Sequence, residues 1–533
     1  MPPKESPSAK DRRLSLPNQE AFDFLLECQR RKARYDLSAA IPFEELSEGI
    51  REIVGIGAAR NATSIAYDAS TGLPELLSEC VEFFRKQGIE CTPSNVAVTN
   101  PILEAIEHLY DDPAIIKKDE DVVLVPYPTF GYYLKQLVER NIKYELFETS
   151  RSEGFQINAK ELRRKIDSMN PRPKILLLCY PNNPTGAGMN REVAVEIVKI
   201  AKTYGIIIIS DEVYMAHNLA EKTHFPIASV PGGLDCSITL TNISKLTGVT
   251  GVRQAIVLAK PEVIKKFAVF QGLSAVDQGI VHVLLQEYNK PRSLLNDEIE
   301  KNRIKYLTNI ALIKSEIAKL SEIVVGSISP VNENPQYGNI YLIDFSTLRG
   351  MAYRSSEIDI EFKTGLDVSR WLYEKAGVAV VPGECSLFEA EDMIVRIGTG
   401  VEQELLNEVF ASIKKAAQTT LLGYHKGAAA TDKSGARYIP DAGRRSAGSQ
   451  GQGFAASMFA RMSGGSSPRS PRTGDRTPLL SSEEEDGELE ASPSSSTSVR
   501  GVDRKVSPGI TVKGASANVS KLGPGEPGLG ERS

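Results

Sequence analysis

The segment KILLLCYPNNPTGAGMNREVAVEIVKIAKTYGIIIISDE, residues 174–212, decides the fold. It opens with a continuous apolar run at 174–179, which predicts a buried strand. Residues 191–204 follow with apolar side chains at helical spacing, and Gly205 ends this predicted helix. A second apolar run at 206–209 predicts another buried strand. The order of strand, crossover helix and strand indicates a parallel sheet with helices on its faces.

Two further predicted strands bring polar residues to the same edge of this sheet. The run at 121–125 leads into a loop with aromatic residues, and the run at 237–240 leads into the loop that contains Lys245. Asp211 and Glu212 directly follow the last strand of the quoted segment. Ligands of open α/β sheets bind at the carboxyl ends of the strands. We therefore predict an α/β fold with a ligand site at this edge.

Composition divides the chain of 533 residues into folded and unfolded parts. Residues 1–19 form a polar head, and residues 426–533 form a tail rich in Ser, Gly and Pro. Neither part buries enough apolar surface to offset the entropy of ordering, so we predict that both are disordered. We predict that residues 20–300 form an N-terminal segment and a large domain. Residues 301–418 contain a long amphipathic stretch and further strand-like runs, which indicate a smaller α/β domain.

Charge and cysteine usage exclude several classes of function. The 63 basic side chains nearly balance 68 acidic ones, and the formal net charge of −5 argues against nucleic acid as the main partner. The 6 cysteines form no CxxC pair, and no His/Cys cluster has the spacing of a structural zinc site. This pattern predicts reduced thiols, a cytoplasmic location and no metal. No apolar run approaches the roughly 20 residues that span a bilayer, so we expect no membrane partner.

Asp211 is the first candidate for a functional side chain. A carboxylate at the end of an apolar strand is costly to bury unless a cation or a protonated nitrogen faces it. Taken alone, Asp211 is compatible with a helix cap or a loop ion pair. Lys245 and Arg253 are equally ordinary when each is taken alone. Only the combination of these residues with the motifs around them indicates a function.

The motifs form an ordered set. They are YPNNPTG at 180–186, SDEVY at 210–214, SK at 244–245 and GVR at 251–253, with further segments YDASTGLPEL at 67–76, AGVAVVPG at 376–383, Phe388 and VRI at 395–397. Together they strongly resemble the class I/II, fold-type I, pyridoxal-phosphate-dependent aminotransferases over about residues 35–415. The resemblance implies a large domain that binds pyridoxal 5'-phosphate and a smaller α/β domain. It also implies transfer of an amino group between an L-amino acid and a 2-oxo acid.

The resemblance assigns catalytic roles to three residues. Lys245 would bind the cofactor aldehyde as a Schiff base and then act as general base and acid, with a lowered pKa. Asp211 would face the ring nitrogen of the cofactor and hold it protonated, which supplies the missing positive charge. Tyr214 would form a hydrogen bond with the phenolic oxygen of the cofactor.

The same resemblance assigns further residues to the cofactor. Asn183 would also bind the phenolic oxygen, and Phe130 would stack on the ring, with Tyr127 and Tyr133 as alternatives for stacking. The residues implied for phosphate binding are Ser244, Arg253, Asn242, the backbone amides of Ile102 and Leu103 at the start of a helix, and Tyr67, which would reach the phosphate bound by the neighbouring subunit.

The substrate side and the assembly are implied in the same way. Arg396 would bind the substrate α-carboxylate with a planar fork that a lysine does not offer. Asn183 and Ala40 would lie beside the substrate. The partners would then be small amino acids and 2-oxo acids, and the active unit would be a homodimer with its sites at the interface.

The sequence departs from the family pattern at a few positions. Pro101, which has no N–H to donate, stands where a small residue normally starts the phosphate-binding helix. Asn242 stands where a hydroxyl is common, and Ala40 replaces a common glycine and narrows the pocket. Gln254 and Ala255 replace the common pair of an apolar residue and glycine. These differences affect the expected affinity for the phosphate and the shape of substrate that the pocket accepts. All the residues implied for the Schiff base are present.

Two alternatives use the same residues. A lyase of the same fold would direct them to elimination or to C–S or C–C cleavage, and a decayed scaffold protein would keep the fold without the cofactor. Strict dependence on a 2-oxo acid acceptor would favour transfer over elimination. We predict an aminotransferase because a decayed enzyme has little reason to keep Lys245, Asp211 and Arg396 together.

Overall fold

The computed structural model describes most of the chain between Asn18 and Ala428. The described residues are 18–39, 45–60, 71–220, 224–268, 273–324, 326–354 and 359–428, with the backbone alone for 354 and 420–428. Two predicted site residues, Ala40 and Tyr67, lie outside the described residues. Most of the predicted disordered head (1–19) and tail (426–533) also lies outside them. The predicted bounds are wrong at their inner ends, because Gln19 begins the first helix and residues 426–428 belong to the last one.

Strands and helices alternate along the described residues, as the sequence predicts. The strands are β1 Tyr35–Asp36, β2 Val96–Thr99, β3 Val122–Tyr127, β4 Lys143–Glu148, β5 Ile175–Cys179, β6 Ile207–Asp211, β7 Ser237–Thr241, β8 Ala255–Leu258, β9 Ser329–Pro330, β10 Ile340–Asp344, β11 Ala352–Arg354, β12 Asp359–Glu361, β13 Val378–Ala379, β14 Val381–Pro382 and β15 Ile394–Gly398. The helices are α1 Gln19–Arg31, α2 Glu48–Arg60, α3 Pro74–Lys86, α4 Ile102–Asp111, α5 Tyr132–Glu139, α6 Ala159–Ser168, α7 Arg191–Tyr204, α8 Ser244–Thr247, α9 Pro261–Phe267, α10 Ala275–Asn289, α11 Leu294–Val324, α12 Gly365–Trp371 and α13 Gln403–Ala428.

A 7-stranded sheet forms the centre of the large domain, in the order β2-β8-β7-β6-β5-β3-β4. Only β8 is antiparallel to its neighbours within this sheet. Every residue of β5 and nearly every residue of β6 is buried, because apolar clusters cover both faces of the sheet. The continuous apolar runs seen in the sequence are therefore central strands, and the ends of β5, β6 and β7 lie next to each other.

The crossover helix α7 shows how the local sequence sets the bounds of an element. At its start, the side chain of Asn190 accepts a hydrogen bond of 2.9 Å from the backbone N–H of Val193. At its end, Gly205 adopts a φ of 67°, a left-handed conformation that favours glycine because it has no Cβ. The helix therefore returns the chain to the sheet at the point where β6 begins.

A second, 4-stranded antiparallel sheet, in the order β14-β15-β10-β9, forms the smaller α/β unit. Its apolar core includes Ile313 from α11 and Phe410 from α13. Helix α11 runs across the predicted boundary between residues 300 and 301. The division into domains at 20–300 and 301–418 therefore stays a prediction.

Gly57 marks the closest approach of α2 and α10. A Cβ at this position would lie 2.6 Å from the Cα of Ile280 and 2.8 Å from the carbonyl oxygen of Gly279. We expect Gly57→Ala to lower the free energy of unfolding by about 1–3 kcal/mol, because the helices must move apart. Urea unfolding of the full-length chain measures this change.

Gly55, on the same helix, provides the matched control. The structure has no atom within 4 Å of the Cβ position of Gly55, so Gly55→Ala should gain up to about 1 kcal/mol from helix propensity. Similar losses in both variants would contradict the close packing of α2 on α10.

Candidate active site

The carboxyl ends of three neighbouring strands carry polar groups to one edge of the sheet. Cys179 at the end of β5 pairs with Asp211 at the end of β6, and Asp211 pairs with Leu240 of β7. After β7 the chain passes Asn242 and enters the short helix α8, whose first turn contains Lys245. The register of the sheet thus brings the predicted lysine and aspartate to the same edge, where α/β proteins bind their ligands.

Asp211 is buried and held from two sides. Its Oδ2 accepts a hydrogen bond of 2.6 Å from the hydroxyl of Tyr133, and its Oδ1 accepts one of 3.1 Å from the backbone N–H of Val213. Burial raises the pKa of Asp211 to about 6, whereas the hydrogen bond from Tyr133 acts in the opposite direction. The carboxylate is therefore oriented and able to pair with a protonated nitrogen near neutral pH.

Tyr133 and Phe130 have different positions in the site. The sequence leaves Tyr133 as an alternative to Phe130 for ring stacking, but its side chain is 1% exposed and its hydroxyl binds Asp211. Phe130 is only partly buried, with its ring centroid 5.4 Å from that of Tyr133. Tyr127, the other alternative, is the last residue of β3. Of Phe130 and Tyr133, Phe130 therefore keeps the more accessible ring, and Tyr133 orients Asp211.

Lys245 is a lysine with unusual acid–base properties. Burial lowers its pKa to about 8, and the charges of Arg396 and Arg253 act in the same direction, opposed by Asp211. A lysine with this pKa is deprotonated near neutral pH far more often than an exposed lysine. Such an amine can attack an aldehyde and can accept a proton from a substrate.

Arg396, on β15, is a buried cation whose hydrogen-bond partners are neutral oxygens. Its Nη1 donates to Oδ1 of Asn183 at 3.0 Å, and its Nη2 donates to the carbonyl oxygen of Ser38 at 2.7 Å. Its Nε is buried and has no hydrogen-bond partner among the residues that the structure describes. A buried guanidinium with a donor to spare is suited to an anionic ligand such as a carboxylate.

Tyr214 follows β6 along the chain, and its side chain is 2% exposed. Its ring packs against His217, with the ring centroids 5.8 Å apart. Burial lowers the pKa of His217 to about 3, so its imidazole is neutral, and its buried Nδ1 has no hydrogen-bond partner. His217 therefore supports Tyr214 without adding a positive charge near Lys245. No pattern in the sequence indicates this role, because a histidine three residues after a tyrosine is common in any loop.

The residues predicted for the phosphate lie around α8 and at the start of α4. The backbone N–H of Ser244 donates to Oδ1 of Asn242 at 3.0 Å, which leaves the amide N–H groups of Asn242 as donors. Arg253 is exposed, and its Nη1 donates to the carbonyl oxygen of Thr250 at 2.8 Å.

Helix α4 begins at Ile102, with Pro101 as its N-cap residue. The first N–H groups of this helix belong to Ile102 and Leu103, and such groups have no partner within a helix. Pro101 therefore stands one position before the amides that were predicted to bind phosphate, and it does not replace them.

Glu212 and His224 form a buried pair that sequence reasoning missed. Oε2 of Glu212 lies 3.0 Å from Nε2 of His224, and the two side chains are 0% and 1% exposed. The sequence places Glu212 at the end of the strand and in the SDEVY motif, but nothing in it points to a contact with His224. Their spacing of 12 residues matches no periodic pattern, so only the folded loop reveals the contact.

The chemistry of these groups fits pyridoxal phosphate. The site contains an amine of lowered pKa, which suits an aldehyde, and a buried carboxylate, which suits a protonated ring nitrogen. Arg253 offers an exposed guanidinium, which suits a phosphate. In the described part of the chain, no group of three or more His, Cys, Asp or Glu is arranged to hold a metal ion. Among the same residues, no helix is both long and apolar enough to cross a membrane.

Comparison with known proteins gives one consistent result. Residues 35–413 match the family model of aminotransferase class I and II. The aspartate aminotransferase of Pyrococcus horikoshii is 27% identical over 369 residues, which cover 66% of this chain and 82% of that protein. The bifunctional aspartate aminotransferase and glutamate/aspartate-prephenate aminotransferase of Petunia hybrida is 27% identical over 375 residues, which cover 68% of this chain and 73% of that protein.

Solved structures share the fold. The aspartate aminotransferase from Thermus thermophilus with maleate matches with a TM-score of 0.61 and 24% identity, over 74% of this chain and 95% of that one. The aromatic aminotransferase from Pyrococcus horikoshii matches with a TM-score of 0.61 and 23% identity, over 75% of this chain and 100% of that one. The chain therefore belongs to the class I and II aminotransferases and is a pyridoxal-phosphate-dependent enzyme that transfers an amino group between an amino acid and a 2-oxo acid.

Proposed function

We propose that Lys245, Asp211 and Tyr214 are the catalytic residues of this transfer. The observation that carries the proposal is the lowered pKa of Lys245, which lies at the same sheet edge as the buried carboxylate of Asp211. An amine that loses its proton readily can bind an aldehyde and can move a proton at the substrate. Asn183, Phe130, Ser244, Asn242, Arg253 and the amides of Ile102 and Leu103 complete the proposed cofactor site, together with Tyr67.

Pyridoxal phosphate, when bound, supplies an electron sink for the electron pair released at the substrate Cα. In the proposed mechanism, Nζ of Lys245 takes the proton from Cα and later returns a proton. Asp211, oriented by Tyr133, keeps the ring nitrogen protonated. The amide group of Asn183 is free to donate to the phenolic oxygen beside Tyr214, because its Oδ1 already accepts from Arg396.

Arg396 is the proposed binding residue for the substrate α-carboxylate. Its Nε has no hydrogen-bond partner, and its guanidinium is already oriented by Asn183 and Ser38, so little motion is needed to bind a carboxylate. Ala40 is the proposed neighbour of the substrate on the same side. The relatives are named for aspartate, aromatic amino acids and prephenate, and we propose acidic or aromatic L-amino acids as donors.

The finer parts of the proposal are a homodimer, a cytoplasmic location and a role in amino-acid biosynthesis. Large apolar side chains are exposed on two neighbouring helices, with Val276 on α10 and Leu294, Ile304 and Leu307 on α11, and a second copy would cover them. All 6 cysteines are free, which suits a reducing compartment. The biosynthetic role rests on the activity named for the plant relative.

Lys245→Ala tests the catalytic proposal. With pyridoxal phosphate and a panel of amino acids and 2-oxo acids, we expect the full-length chain to transfer an amino group only when an oxo-acid acceptor is present. The variant should lose about a thousandfold or more of the rate, because the group that moves the proton is gone. Lys143→Ala, at a surface lysine that donates to the carbonyl oxygen of Asp119, should leave the rate unchanged. Release of an oxo acid without an acceptor would instead indicate elimination.

Arg396→Lys tests whether Arg396 binds the substrate α-carboxylate. The variant keeps the positive charge but loses the planar fork, so we expect kcat/KM to fall about ten- to hundredfold, mainly through a higher KM. Arg151→Lys is the control, because Arg151 pairs with Asp344 at 3.1 Å in an exposed position outside the site. An unchanged KM in the Arg396 variant would refute the assignment.

Ile304→Asp with Leu307→Asp tests the homodimer. Sedimentation velocity should give the mass of two chains for the native protein and of one chain for the double variant, since charged residues at a buried interface are strongly unfavourable. Leu26→Asp changes an exposed leucine on α1 and should leave the mass unchanged. A monomeric native protein would overturn this part of the proposal.

A further inference from the structure

Glu212 directly follows Asp211 on the chain, and its side chain is enclosed by uncharged donors. Its Oε1 accepts from the hydroxyl of Ser210 at 2.8 Å and from the backbone N–H of Ile227 at 3.2 Å. Its Oε2 lies 3.0 Å from Nε2 of His224. Each of these three groups can donate to the carboxylate, an arrangement that suits its ionised form.

The hydrogen bonds of His224 show that it does not neutralise Glu212. The backbone N–H of Met189 donates to Nδ1 of His224 at 3.2 Å, so this nitrogen carries no proton. The proton of the imidazole is therefore on Nε2, which donates to Glu212, and the ring is neutral. The backbone N–H of His224 donates to the hydroxyl of Tyr337 at 2.7 Å and fixes the ring in place. The site thus keeps a buried negative charge beside Asp211.

The backbone of Glu212 is fixed as firmly as its side chain. Its N–H donates to the carbonyl oxygen of Leu240 at 2.8 Å, and its carbonyl oxygen accepts from the hydroxyl of Thr241 at 3.2 Å. Both contacts come from β7, the strand that leads to Lys245. The charge of Glu212 is therefore held at a constant distance from Asp211, with no solvent to screen it.

We propose that Glu212 is a positioning residue of this enzyme, a second buried carboxylate that strengthens the hold of Asp211 on the protonated ring nitrogen of the cofactor. The inference rests on the proposed role of Asp211. The negative charge of Glu212 contributes to the raised pKa of Asp211, in the same direction as burial. A more basic carboxylate binds a protonated nitrogen more strongly. The other titratable groups that face Asp211 are Tyr133 from α5, Cys179 from β5, Tyr214 after β6 and Lys245 from α8.

The test is a double-mutant cycle on the full-length chain after removal of the cofactor. Because the folded-state pKa of Asp211 is raised, the unfolded chain releases this proton first as the pH rises. The contribution of Asp211 to the free energy of unfolding therefore falls between about pH 4 and about pH 6. The difference between the native chain and Asp211→Asn isolates this contribution. In the Glu212→Gln background we expect the same fall to end at a lower pH.

A second readout is the affinity for pyridoxal phosphate. We expect Glu212→Gln to weaken binding about fivefold in the native background and to have no effect in the Asp211→Asn background. Ser210→Ala is the matched control, since it removes one donor to Glu212 but keeps the negative charge of Glu212. This variant should leave the pH range in which Asp211 titrates unchanged. If Glu212→Gln alone does not fold, the double variant Glu212→Gln with His224→Gln is used instead. It replaces the contact of the Glu212 carboxylate with His224 by a hydrogen bond between two amides.

Two results would overturn the inference. One is an unchanged titration of Asp211 in the variant without the charge. The other is an equal loss of cofactor affinity with and without Asp211, which would make Glu212 a purely structural residue. A chain that binds no pyridoxal phosphate would refute the proposed function, while the titration would still decide the effect of Glu212 on Asp211.

Discussion

The burial of the Asp211 carboxylate is the constraint on which the site depends. A carboxylate at the end of a central strand needs donors and a positive partner, or its desolvation destabilises the fold. The hydroxyl of Tyr133, the backbone N–H of Val213 and the nearby charge of Lys245 meet this need. These groups come from α5, the turn after β6 and α8, so the packing of these elements around the sheet also sets the ionisation of the site.

Around Lys245, positive charge exceeds negative charge. Lys245 lies near the charges of both Arg396 and Arg253, and their repulsion adds to burial in lowering its pKa. A phosphate and a substrate carboxylate would relieve this repulsion. In the proposed mechanism, the same surplus of positive charge would prepare the lysine for proton transfer and attract the anionic groups of cofactor and substrate.

Much of the fold and part of the site follow from local patterns. The predicted strands at 121–125, 174–179, 206–209 and 237–240 are β3, β5, β6 and β7, because long apolar runs require burial on both faces. The contacts of Tyr133 could not be predicted in the same way. The residue before it, Tyr132, is also a tyrosine, and only the packing of α5 on the sheet decides which ring is buried with its hydroxyl on Asp211.

The sequence by itself determined the α/β class and the order of the strands along the chain, because both depend on residue type and spacing. The lysine, the aspartate and the arginine of the proposed site came from the resemblance of their motifs to the family. The tertiary structure alone decided which groups surround them. The contacts of Arg396 with Asn183 and Ser38 and the pair of Glu212 with His224 join residues whose distance along the chain follows no period. These contacts arise when separate segments of the chain pack together, and no local rule encodes that packing.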